Sequence, residues 1–232
     1  MRISLSIVVL ILILTTSLGL CGGCVDNEDT RLHTEYFYYS VGTIDDNPHD
    51  IAITGLTDAG KQQKILLIPE EIDGVAVDSI KCYFGDASCE KVYFPKNIKI
   101  YWHQRGVGNR VKFIFSDSVC PFTIDAKGKY VPIYYSQYAI GYEDKFYGST
   151  IANISYLLNT KEEDGNDGIW FVDDLLNGEK INIKPKTPHR EGYQFIGWYF
   201  EESCENQLDF ETFTYSEQSG ILTFFAGWKK IR

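Results

Sequence analysis

Basic residues are in short supply: 22 Lys and Arg stand against 32 Asp and Glu, a formal charge of -10. A surface of that sign repels phosphate backbones, which excludes nucleic acid as a partner. It also excludes docking on anionic lipid through a basic face. Histidine is scarce as well. His33, His49, His103 and His189 are isolated, without the close spacing of a zinc pair, so no metal site is expected. There is no Gly-x-Ser-x-Gly elbow and no cysteine with a motif-defined histidine partner. Carboxylates are plentiful, yet nothing in their spacing marks a glycosidase pair. No cofactor and no catalytic residue is legible.

Two motifs come close and fail. Gly55-Leu56-Thr57-Asp58-Ala59-Gly60-Lys61 has the spacing of a phosphate-binding loop, but Gln62 stands where Ser or Thr should reach magnesium. A strand, Ile65 to Ile68, and then Pro69 follow it, so no helix is expected to offer its N-terminus to phosphates. Glu162, Glu163, Asp164 and Asp167 suggest calcium, but the alternating order and closing Glu of a calcium loop are missing, and a solvated hairpin loop fits better.

What is present in excess is aromatic. Sixteen Tyr, 14 Phe and 4 Trp make up 15% of the chain, which favours extensive β structure and leaves rings to spare for a contact surface. The N-terminus carries the most specific signal. Arg2 precedes an unbroken apolar run, Ile7 to Leu14, and the chain then turns small and polar toward Leu18-Gly19-Leu20-Cys21-Gly22-Gly23-Cys24. This segment resembles a bacterial lipoprotein signal, which implies lipidation of a cysteine that becomes the mature N-terminus. Cys24, after Gly22-Gly23, has the small residue that cleavage needs; Cys21 is the alternative. An uncleaved anchor is the rival reading, since Ile3 to Leu20 is long enough to span a bilayer, and simple secretion is another. All three place the bulk of the chain outside the cytoplasm.

Four cysteines remain, Cys82, Cys89, Cys120 and Cys204, with no metal-like spacing. Export permits disulfides, so reduced core thiols and a Cys82–Cys89 bridge are both open, the former favoured because Cys89 adjoins the apolar Val92-Tyr93-Phe94 run.

Along the chain, residues 1–24 read as the signal and 25–32 as an acidic tether. Ile51 to Thr54 and Ile65 to Ile68, separated by a Gly- and Asp-containing loop, read as a hairpin. Ile68-Pro69-Glu70-Glu71-Ile72 is then echoed by Phe94-Pro95-Lys96-Asn97-Ile98 at an offset of 26 residues, and Val111, Phe113 and Phe115 mark a further strand. Strands at such a spacing are what a solenoid produces. Together with Ile72-Asp73-Gly74-x-x-Val77-x-x-Ile80 and Phe84, these pieces resemble the BspA-type leucine-rich repeat, over about residues 50–120. The array expected over 33–130 departs from that pattern at Tyr101-Trp102-His103-Gln104-Arg105-Gly106. A Tyr-rich segment, 131–150, could form a short helical cap and linker.

The final stretch, 151–232, resembles the B-repeat of internalin-type surface proteins. The resemblance rests on Ile169-Trp170-Phe171-Val172-Asp173, Pro185-x-x-Pro188, Arg190-Glu191-Gly192-Tyr193-Gln194-Phe195-Ile196-Gly197-Trp198-Tyr199 and Phe225-Ala226-Gly227-Trp228. It implies a β-grasp-like module with its own core, sharing few contacts with the array. The fold class expected is therefore mainly β, a short leucine-rich-repeat solenoid followed by that module. The function expected is a membrane-anchored, surface-exposed, non-enzymatic binding or adhesion lipoprotein that recognises a host or envelope protein or glycan. A structural spacer without ligand and a small extracytoplasmic hydrolase are the alternatives. Exposed aromatics supply the ligand-binding candidates: Tyr101, Trp102 and Arg105 where the repeat pattern breaks, and Tyr36 and Tyr38 near the tether.

Overall fold

The structure is a computed structural model that describes residues 31–42, 51–96, 98–100, 111–121, 131–142, 148–160 and 168–231. Cys21, Cys24, Tyr101, Trp102, Arg105 and the acidic stretch Glu162 to Asp167 lie outside those residues. The protein is strand-rich with almost no helix, a mainly β fold. In chain order come β1 (Phe37–Val41), β2 (Ile51–Leu56), the one-turn helix α1 (Asp58–Lys61), β3 (Ile65–Leu67), β4 (Glu71–Ile72) and β5 (Val75–Ile80). Then follow β6 (Lys91–Tyr93), β7 (Lys99–Ile100), β8 (Lys112–Ile114), β9 (Ile133–Tyr135) and β10 (Thr150–Ile151). The last four are β11 (Ile154–Leu157), β12 (Ile169–Asp173), β13 (Tyr193–Tyr199) and β14 (Leu222–Lys230).

They form three sheets. One runs β1-β2-β5-β4 with β7 also on β5, a second runs β10-β9-β8-β6-β3, and a third runs β12-β11-β14-β13. The second is a parallel ladder, with Ile65 beside Lys91 and Lys91 beside Lys112, then Phe113 beside Ile133. That is the solenoid spacing of the sequence turned into hydrogen bonds. Between the two array sheets lies a core in which Phe84 packs edge-on against Phe94 and Phe113, and Phe94 stacks on Phe115 with ring centres 4.5 Å apart.

Two expectations for the array are corrected. Ile51 to Thr54 and Ile65 to Ile68 do not pair as a hairpin: β2 lies between β1 and β5, and β3 lies beside β6 in the other sheet. The segment between them is a helical turn, because Thr57 caps it. The Thr57 hydroxyl accepts from the Gly60 N–H at 3.1 Å and donates to the Glu35 carbonyl at 2.6 Å. Gly60 is required there, since a Cβ would sit 2.2 Å from the Tyr36 carbonyl oxygen. A tight hairpin does form at β4–β5, where Asp73 (φ 52°) and Gly74 (φ 78°) form the two-residue turn that a right-twisted hairpin prefers. In the Tyr-rich segment, 133–135 is strand and not helix; β9 and β10 carry the ladder on toward the third sheet. The open edge of β8 offers backbone partners to Ile133 and Tyr134, and Val131, Ile133 and Tyr135 are buried against the same core.

The third sheet encloses its own cluster. Tyr156 and Trp198 meet edge-on at 5.0 Å, with Phe224, Leu208 and Tyr215 around them. Trp170, Phe195, Phe210 and Trp228 pack on its rim.

Cys82 and Cys89 are buried in the array core, while Cys120 and Cys204 are half-buried. Burial pushes the Cys82 and Cys89 thiols from an ordinary 9.0 up to about 12. A raised value means that the folded state keeps the proton. The stabilisation is complete below the ordinary thiol range and is lost as pH climbs from about 9 toward 12. At pH 8 neither thiol should react with an aromatic disulfide reagent until urea unfolds the chain. Prompt labelling of both in the native protein would show that the array core is open at this point.

Candidate functional site

The outward face of the parallel ladder is not a solvent face. Register puts Lys91 beside Lys112 and Tyr93 beside Ile114, and all four belong to the face that the third sheet covers. Lys91 is only 6% exposed. Its ammonium donates to Glu179 at 2.9 Å and to Asp173 at 3.5 Å, while the Tyr93 hydroxyl donates to Asp173 at 2.6 Å. Lys112 pairs with Asp174, whose other oxygen accepts the Asn153 N–H at 3.1 Å. The stacked lysines of successive turns thus meet the consecutive Asp173-Asp174. Burial, more than any other influence, holds the Asp173 carboxyl above the usual carboxylate range, although Lys91, Tyr93 and the Asp174 N–H oppose it. Burial likewise pushes the Tyr93 phenol far up.

The repeat echo builds the next feature. Leu67, Tyr93 and Ile114 are in register, so Pro69, Pro95 and Ser116 fall at equivalent places two residues beyond them. Two turns end on proline, which cannot donate a ladder hydrogen bond. The third ends on Ser116, and its hydroxyl accepts the N–H of Val172, on edge strand β12, at 3.0 Å. The switch from Pro to Ser anchors β12 against the array, and Ser116, Pro69 and Pro95 all line the recess beside it. A cleft of about 560 Å³ opens there, within the range of ligand sites.

One wall of the cleft comes from the strand ends, Leu67 to Glu70 and Tyr93 to Lys96; the other is Trp170, Phe171 and Ile183 to Lys186. Phe171 stacks on Tyr93 at 5.3 Å, closing the floor. The Trp170 indole N–H donates to the Lys186 carbonyl at 2.7 Å, which fixes the ring plane. Lys96 reaches the Ile169 carbonyl and lies 5.5 Å from the Trp170 ring. Burial lowers its ammonium despite the opposing pull of Asp117 and Glu70. At the mouth, Lys186 and Glu70 bridge the two walls at 3.1 Å, and Lys184 pairs with Glu211 at 2.7 Å.

Residues 162–229 match the Listeria-Bacteroides repeat domain. The match takes in β12, β13 and β14, and so one whole wall of the cleft. Within the fold the repeat domain is completed by β11, which lies before the matched span and joins β12 to β14 at the centre of the sheet. A leucine-rich repeat protein of T. pallidum is similar over 57% of this chain at 16% identity, with a TM-score of 0.28. The similar region spans 63% of that protein, a little under two thirds of its length. No curated protein sequence matches the chain.

Of the binding candidates read from the sequence, Tyr101, Trp102 and Arg105 lie outside the described residues. Tyr36 and Tyr38 are half-buried at β1, away from the cleft; Arg31 covers the Tyr38 ring at 3.6 Å, and His33 meets its edge at 6.0 Å. The cleft residues were missed because each of its walls is unremarkable alone. The only available signal was the Pro69/Pro95 echo, which ends in Ser116. The phosphate-loop spacing at Gly55 to Lys61 holds α1, where Lys61 pairs with Asp58 at 3.0 Å. Among the described residues no group of His, Cys, Asp and Glu could hold a metal ion, and no helix is long and apolar enough to cross a membrane.

Proposed function

We propose that the protein is a lipid-anchored, extracytoplasmic binding protein that works without catalysis, its ligand held where the repeat array meets the Listeria-Bacteroides repeat domain. The observation that carries this is the cleft: an aromatic and proline-walled recess that neither part forms alone. The B-repeat resemblance of 151–232 and the lipoprotein-like signal ending at Cys24 support a place on the cell surface. An array of host matrix proteins, envelope proteins and glycans, probed with wild type and Trp170→Ala, tests the reading. Binding lost in Trp170→Ala with melting unchanged supports it. Equal binding by both proteins moves the site elsewhere, with Trp102 and then Tyr36 and Tyr38 as the next places to look.

Anchoring has its own test. Cys24→Ser should release the protein from the membrane fraction, and mass spectrometry of the extracted wild type should find a lipid-modified N-terminus at Cys24. A mature protein that still begins at Met1 would refute lipidation and leave an uncleaved anchor.

A further inference from the structure

The cleft is an exception on a chain with a net charge of -10: its lining carries Lys96, Lys184 and Lys186 against a single carboxylate, Glu70. We propose that it binds an acidic, proline-containing segment of another polypeptide in extended conformation. This deepens the reading above and rests on it.

Three observations select that ligand chemistry. First, two of the three lysines, Lys184 and Lys186, are available. The Lys184–Glu211 and Lys186–Glu70 pairs are well exposed, with side chains 57% and 80%, and 74% and 65%, accessible. Exposed, solvent-screened pairs of this kind are weak, so an incoming carboxylate can replace Glu211 or Glu70 at little cost. Second, among the charged side chains of the lining donors outnumber acceptors, three lysines to one carboxylate. Ser116 is committed to Val172, and Glu70 is the one carboxylate. Sugar hydroxyls need both kinds of partner, whereas a carboxylate needs donors alone. Third, the lining brings Pro69 and Pro95 together with Trp170, whose indole is held by the Lys186 carbonyl. An extended proline-bearing chain is stiff before binding and lays its rings against such aromatic surfaces with little loss of entropy.

The test uses the full chain in detergent and a fluorescein-labelled peptide, EPLEPLEPL, followed by anisotropy. KPLKPLKPL and polygalacturonate serve as competitors. EPLEPLEPL should bind, and Trp170→Ala should weaken it about thirtyfold. The deciding pair is Lys186→Glu and Glu70→Lys. Both break the same exposed ion pair, so a merely structural role would move binding in one direction. Recruitment of an acidic ligand predicts opposite effects, about fivefold weaker for Lys186→Glu and about fivefold tighter for Glu70→Lys. Failure of EPLEPLEPL to bind, equal affinity for KPLKPLKPL, or weakening by both charge variants would each overturn the proposal. Stronger competition by polygalacturonate than by unlabelled peptide would also overturn it, in favour of an acidic glycan. In any of these cases, a Trp170-dependent signal on the ligand array would leave the cleft standing as a binding site, so the two readings fail separately.

Discussion

Replacing Asp173 with Ala should destabilise the protein by about 3 kcal/mol or more, measured as the free energy of urea unfolding. The carboxylate is 1% exposed and gathers Lys91, the Tyr93 hydroxyl and the Asp174 N–H. Removing it leaves the Tyr93 hydroxyl without its acceptor and leaves Lys91, still charged and out of water, with Glu179 alone. An uncompensated buried group costs far more than the net strength of the pair it came from. Two companions sharpen the reading. Asp173→Asn keeps an oxygen for Tyr93 and should cost less than Ala. Lys91→Met with Asp173→Leu removes both charges together and should recover the part of the loss that comes from leaving Lys91 with Glu179 alone. A cost below about 1 kcal/mol for Asp173→Ala would mean that this cluster does not hold the repeat domain to the array.

The second large effect is expected at Trp198. Its ring is 3% exposed, edge-on to Tyr156 at 5.0 Å and to Phe195 at 5.3 Å. Truncation to Ala removes that packing and leaves a cavity among residues already fixed by four strands, at a cost of about 3–5 kcal/mol. Thermal denaturation followed by circular dichroism would register it. Because Arg31–Arg232 is one compact unit, the melting of array and repeat domain should fall together. A Trp198→Ala protein whose array melts unchanged while the repeat domain unfolds first would show that the two cores are energetically separate, as the sequence suggested.

That separation is where sequence and structure part most clearly. Leu157, Ile169 and Val172 of the C-terminal sheet belong to the same buried cluster as Phe84 and Phe113 of the array. The Ser136 and Ser155 hydroxyls bond at 2.8 Å across the junction. The expectation of few shared contacts came from giving the C-terminal segment a core of its own; nothing in the sequence marks Lys91, Tyr93 and Lys112 as other than a solvent-facing row. By period alone they are one, since they alternate with Val92 and Phe113. Asp173-Asp174 likewise looks like a hydrophilic end to a strand. Each row is polar for the same reason, that it meets the other, and charge pairing across a buried interface leaves no mark on either segment by itself.

The sequence by itself determined the strand content, the parallel spacing of the array and the aromatic core around Trp198. Those follow from local periodicity and from side-chain volume, which act within a few residues of chain. It also carried the family likeness of the C-terminal segment, since glycines and aromatics at fixed offsets survive in a linear string. The tertiary structure alone decided that β2 and β3 part into different sheets, that 133–135 is strand, and that Ser116 is an anchor where its two equivalents are prolines. It alone decided the cleft. A recess between two walls more than 70 residues apart in the chain depends on how the array and the repeat domain pack together. That packing includes the buried contacts of Lys91 and Tyr93 with Asp173, a balance of burial against charge that no single stretch of residues encodes.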